Sequence, residues 1–160
     1  MNRGFTLIEL LVVISIIGLL TSITLVQVEK VRANARNKDR ISAVESYRLG
    51  LEQVYEAYNN TFPTPGAGQW FCLSRAESGR CWQGIYQNSA TLDSTITPFV
   101  LGRPNPDPIG VSLEGIVYLQ SPTGSGYRLV WMLEGEDQDC TPGVQQNNNY
   151  YGDTYCDYIR

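Results

Sequence analysis

One carboxylate, Glu9, stands inside an apolar segment: Phe5 to Ile8 precede it, and Leu10 to Val28 follow without a charge. Placing a carboxylate in hydrocarbon costs roughly 2.5–3.5 kcal/mol on insertion scales, so Glu9 calls for a positive partner. Other groups capable of chemistry are few. None of the 160 residues is a histidine, which removes the commonest general base and the commonest zinc ligand together. The four cysteines, Cys72, Cys81, Cys140 and Cys156, form no CxxC pair. A structural zinc would need all four at unusual spacing. Two disulfides fit better and imply an oxidising compartment outside the cytoplasm. Of the three connectivities open to four cysteines, the local one is favoured, Cys72–Cys81 with Cys140–Cys156. Glu134, Glu136, Asp137 and Asp139 are weak Ca²⁺ candidates that lack the EF-hand pattern, and a solvated loop is the default for them. The chain has no P-loop, GxSxG, HExxH or dinucleotide fingerprint, so no catalytic residue, enzyme activity or cofactor is expected. A net charge of −4 argues against a nucleic-acid-binding surface, which needs a basic patch.

Elements must position these groups. The uncharged run from Leu10 to Val28 spans about 28 Å as a helix, close to the hydrocarbon thickness of a bilayer. Helix signals continue beyond it. Ile41, Val44, Tyr47, Leu51, Val54 and Tyr58 recur at three- and four-residue steps, an apolar stripe. Arg40, Glu45, Arg48, Glu52 and Glu56 are assigned to the other face. Asn59, Asn60 and Pro63 supply the stop. One helix from about Phe5 to Tyr58 is expected. Residues 61–108 carry six of the eight prolines and read as a long connection, with Trp70, Phe71, Trp82 and Tyr86 packing it onto the core. A strand around 111–120, a turn at Ser121 to Gly126, and alternation from Tyr127 to Glu134 predict a hairpin. Tyr127, Leu129, Trp131 and Leu133 form its helix-covering face. A short last strand falls near 155–159.

Gly4-Phe5-Thr6-Leu7-Ile8-Glu9 resembles the cleavage and methylation site of type IV prepilins and type II secretion pseudopilins. The resemblance extends through the apolar stretch to Ala33-Asn34-Ala35-Arg36 and Phe62-Pro63. It implies a cut between Gly4 and Phe5 by a prepilin peptidase, and N-methylation of Phe5. It also implies that Glu9 pairs with the Phe5 amine of a neighbouring subunit during filament assembly. The implied fold is α+β and pilin-like, a long N-terminal helix packed on a small antiparallel β-sheet. The implied organisation is a leader at 1–4, a transmembrane and filament-core helix at 5–28, its amphipathic half at 29–60, and an extracytoplasmic globular part at 61–160. The implied partners are copies of itself and other pilins, the peptidase/methylase, an inner-membrane assembly platform, and membrane lipid before assembly.

Rival readings are a type II secretion pseudopilin, a membrane-tethered extracellular binding module, and an ordinary signal peptide. Against the last, no A-x-A site follows the run and the helix pattern passes beyond the membrane. Lys30, Arg32, Arg36, Lys38 and Arg40 follow the span, while only Arg3 and the amino terminus precede it. By the positive-inside rule this bias would place the C-terminal part in the cytoplasm. The cysteines and the motif require the opposite side and carry more weight.

Overall fold

A computed structural model describes residues 5–65, 70–73, 89–100, 115–121, 125–146 and 152–160, apart from the side chains of 23–26. Gly4, Cys81, Trp82, Tyr86 and positions 111–114 lie outside the described residues. The chain divides into two compact units, Met1–Ala35 and Arg36–Arg160.

Helix α1, Leu7–Ala57, has 51 residues. It contains no proline and only two glycines, Gly18 and Gly50, so nothing within it breaks the hydrogen-bond ladder. Its end is built from left-handed asparagines. Asn59 and Asn60 take φ of 53° and 57°, and the Asn60 N–H donates to the Tyr55 carbonyl at 2.9 Å. Asparagine tolerates this conformation, which closes the orphan carbonyls of the last turn.

In the first unit, the described side chains of α1 from Leu7 to Leu20 are exposed. In the second unit, α1 lies on a five-stranded antiparallel sheet of order β1-β2-β3-β5-β4. Its strands are β1 (Phe71–Cys72), β2 (Val117–Gln120), β3 (Tyr127–Leu133), β4 (Val144–Gln145) and β5 (Thr154–Ile159). The expected hairpin is present as β2–β3, with Gln120 opposite Tyr127. The expected last strand pairs with β3 over six residues, from Arg128↔Ile159 to Leu133↔Thr154. A short helix, α2 (Ala90–Ile96), is capped by the Ser89 hydroxyl accepting from the Leu92 N–H.

Val44, Tyr47, Leu51 and Val54 are fully buried and pack with Tyr127, Leu129, Trp131 and Leu133. This is the expected covering of the helix stripe by one face of β3. The opposite face is not bare. Val130 and Met132 form a second, smaller cluster with Cys72 and Val117, edged by Trp70 and Tyr155. Of the connection's four aromatics, Phe71 enters the main core and Trp70 edges the second cluster.

Two stripe assignments are corrected. Tyr58 is half exposed, because the helix ends at Ala57 and the chain has begun to turn. Arg40, assigned to the polar face, is fully buried. It stands four residues before Val44 and seven before Tyr47, so helical spacing puts it on the core stripe whatever its charge.

Candidate functional site

Two features are candidates, each described by itself: the N-terminal start of α1, and the charged turns that follow the apolar run. Thr6 is the N-cap. Its carbonyl accepts the Leu10 N–H at 3.3 Å. Its side chain and that of Glu9 bond reciprocally. Glu9 Oε2 accepts from the Thr6 N–H at 2.8 Å and from its hydroxyl at 2.7 Å, while the Glu9 N–H donates to Thr6 Oγ1 at 3.3 Å. This is a capping box, which satisfies orphan amides at a helix start. The Thr6…Glu9 spacing is its sequence signature and was legible. The carboxylate drew attention only as a charge needing a cation.

Phe5 is 86% exposed. Three polar residues within the apolar run turn inward on their own helix. Ser15 donates to the Leu11 carbonyl at 2.8 Å, Thr21 to Ile17 at 2.7 Å, and Ser22 to Leu19 at 2.8 Å. Such back-bonds hide hydroxyls from hydrocarbon. A Cβ built at Gly18 meets nothing within 4 Å. Helix α1 is long and apolar enough to cross a membrane.

The basic residues after the run separate into two groups. Arg36 forms a two-pronged ion pair with Glu134, and Arg40 is buried. Lys30, Arg32 and Lys38 are exposed. Next to Arg36, the nearly buried Asn37 bonds both backbone groups of Glu134. Neither link was anticipated from sequence.

The acidic stretch does not converge. Glu134 is occupied by Arg36. Asp137 accepts from Gln145 at 3.1 Å, and Asp139 accepts from the Thr141 N–H at 2.9 Å and hydroxyl at 2.7 Å. Those two bonds hold the Asp139 carboxyl below its ordinary range. Among the described residues, no three acidic or cysteine side chains are grouped to hold a metal ion.

Cys140 and Cys156 form a disulfide with Cα atoms 5.5 Å apart. It ties the loop before β4 to the middle of β5. Cys72 is also disulfide-bonded, and its expected partner Cys81 lies outside the described residues.

Beyond the disulfide, polar and aromatic contacts lock the second unit. Buried Asp157 accepts from Arg128 Nε at 2.8 Å and from Gln146 at 3.1 Å. Arg160 bonds Glu52 at 2.9 Å and lies over the rings of Tyr55 and Phe62 at 4.6 and 4.8 Å.

Residues 1–25 match the family described as the prokaryotic N-terminal methylation motif. Two curated proteins of Dichelobacter nodosus, each named a probable minor fimbrial protein, are 34% and 33% identical over 104 residues. The match covers 65% of this chain and spans 63% of the length of each relative. No solved structure matches significantly. The chain thus carries the prokaryotic N-terminal methylation motif at residues 1–25 and is similar to proteins named as minor fimbrial proteins, consistent with the type IV pilin family.

Proposed function

We propose that this chain is a structural subunit of a type IV pilus or pilus-like filament. Prepilin peptidase cuts between Gly4 and Phe5, and Phe5 is N-methylated. Residues 5–28 hold the subunit in the inner membrane before assembly, with the disulfide-bonded domain outside the cytoplasm. The apolar helix then passes from lipid into the filament core, where Glu9 meets the Phe5 amine of a neighbour. The carrying observation is the single carboxylate, Glu9, in the otherwise uncharged stretch 5–28 and inside the matched methylation motif.

The capping box bears on how Glu9 waits for that partner. Its bonds to Thr6 offset part of the cost of a carboxylate at the edge of hydrocarbon. They hold it in place until the stronger charge-assisted partner arrives. The relatives' minor fimbrial names favour a pilus over a type II secretion pseudopilus. No enzymatic step is assigned to the chain.

Glu9→Leu tests the reading. The variant keeps its anchor and stays in the membrane fraction, while subunit in sheared filaments falls by at least about tenfold. Normal assembly by this variant removes the proposed charge pair.

A further inference from the structure

Of the ten asparagines in the chain, Asn59 alone is followed two residues on by a serine or threonine. Asn59-Asn60-Thr61 is therefore its one N-x-[ST] sequence, the acceptor pattern for N-linked sugar. It falls just past the end of α1, within the compact unit Arg36–Arg160. All three residues are exposed. The Asn59 side chain makes no hydrogen bond among the described residues, whereas Asn37 spends both amide atoms on Glu134. Local conformation explains part of the sequence. Asn59 and Asn60 are both left-handed, and asparagine tolerates that region. It does not explain Thr61, whose hydroxyl makes only a long bond, 3.4 Å, to the Asn59 carbonyl. A sugar at this exposed turn displaces no buried group. Beside the turn, Tyr58, Thr61, Thr64, Thr91 and Thr95 help to line an open groove of about 260 Å³. Its half-exposed tyrosine ring and its threonine hydroxyls suit a sugar attached one position away.

We propose that Asn59 is the attachment site of an N-linked glycan. The proposal rests on the reading above only in placing the domain outside the cytoplasm. There the chain meets a glycan donor carried on a polyprenyl diphosphate at the membrane surface. In the transfer, the bond between sugar C1 and the diphosphate oxygen breaks, and a bond between C1 and Asn59 Nδ2 forms. The oxygen leaves with the bonding electrons and Nδ2 gives up one proton, so nothing is oxidised or reduced. An amide nitrogen is a weak nucleophile because its lone pair is delocalised. Activation therefore comes from the transferase and not from this chain. The hydroxyl two residues on, that of Thr61, is what the transferase reads as the mark of an acceptor. An O-linked sugar on Thr61 or Thr64 is the rival. The Thr64 hydroxyl is already engaged by Gln120 Nε2 at 3.0 Å. The spacing of Asn59 and Thr61 favours the amide, since an O-linked sugar needs no asparagine two residues before it.

The test is peptide mass spectrometry of the full-length chain isolated from its own host, with fragmentation that leaves sugars attached. The expected spectrum places one or more sugar residues on Asn59. Thr61→Ala is expected to lower that glycopeptide by at least about tenfold although the acceptor amide is untouched, and Thr61→Ser to keep it. Asn59→Gly abolishes it while keeping the left-handed turn. Asn60→Gly leaves it unchanged. An unmodified peptide from the wild-type chain overturns the proposal. A sugar that survives Asn59→Gly, or that sits on Thr61 or Thr64, assigns the modification to a hydroxyl and also overturns it. Thiol labelling of the same sample separates the two levels. Cys140 and Cys156 that alkylate without reductant, together with an unmodified Asn59, defeat the placement outside the cytoplasm and this proposal with it. An unmodified Asn59 in a chain whose Cys140–Cys156 disulfide is intact defeats only the glycan.

Discussion

Asn37 and Glu134 are joined as a two-way pair across 97 residues of sequence. The Asn37 amide donates to the Glu134 carbonyl at 3.0 Å, and its Oδ1 accepts the Glu134 N–H at 2.8 Å. A helix side chain thereby imitates a neighbouring strand at the point where β3 ends. It satisfies two backbone groups just past the sheet and fixes where the acidic loop begins. The adjacent Arg36–Glu134 ion pair uses the side chain of the same residue.

Asn37→Ala strips both bonds from a site that is 5% exposed. It is expected to cost about 2–3 kcal/mol, because two backbone groups lose their partners. Asn37→Asp keeps the acceptor but sets a carboxylate beside the Glu134 carbonyl, and is expected to fare no better. Denaturant unfolding of the detergent-solubilised chain measures both. A loss under about 0.5 kcal/mol for Asn37→Ala would contradict the clamp.

Removing the Cys140–Cys156 disulfide with a double serine variant frees a loop of sequence separation 16. Chain entropy puts the cost at about 3 kcal/mol. β4 has two residues and, among the described residues, pairs with β5 alone, so its segment is expected to become the first protease-sensitive site. Limited proteolysis with and without reductant reads this out.

Two phenols provide an alkaline signature. Burial pushes the hydroxyls of Tyr118 and Tyr127 well above the ordinary value of 10, and for Tyr127 the nearby Glu52 carboxylate adds to the effect. The fold therefore favours the neutral phenol. That contribution is fully present below pH 10 and is lost as pH rises above it toward the folded values. Absorbance titration is expected to show these two tyrosines ionising only with unfolding. Ionisation of all ten tyrosines near pH 10 in a still-folded chain is the opposing result.

Acid acts on the other side. Hydrogen bonding to Arg48, chiefly, holds the Glu45 carboxyl below its ordinary 4.5. Its contribution is present above about pH 4.5 and fades as pH falls through the lower folded value. The pair is about a third exposed, so Glu45→Gln is expected to cost no more than about 0.5 kcal/mol at pH 7, and to flatten the stability curve below pH 4.5. A thermal-shift series over pH 3 to 7 checks this.

Gly50→Ala separates packing from propensity. Alanine gains roughly 1 kcal/mol in a helix interior, yet a Cβ here would lie 2.2 Å from Val100 Cγ2. Overpacking is expected to dominate and leave the variant about 1–2 kcal/mol less stable. A stabilised variant would show that Val100 yields without cost.

The features carried by periodicity are legible in the sequence. The spacing of Val44, Tyr47, Leu51 and Val54 foretold the buried face of α1, and the alternation from Tyr127 to Leu133 foretold β3. What escaped depends on distant partners. β1 and β4 have two residues each and exist because β2 and β5 offer them an edge. Nothing local marks Asn37 or Arg36 as partners of Glu134. Arg40 was misplaced because its charge was weighed above its spacing. The Thr6–Glu9 capping box was local and readable, but an unusual charge at Glu9 obscured its ordinary role at a helix start.

Intact-mass and peptide mass spectrometry of the mature N-terminus tests the filament-subunit reading most directly. The expected chain begins at Phe5 and carries one methyl group on its amine. A chain that retains Met1, or one cut beyond residue 20, contradicts it.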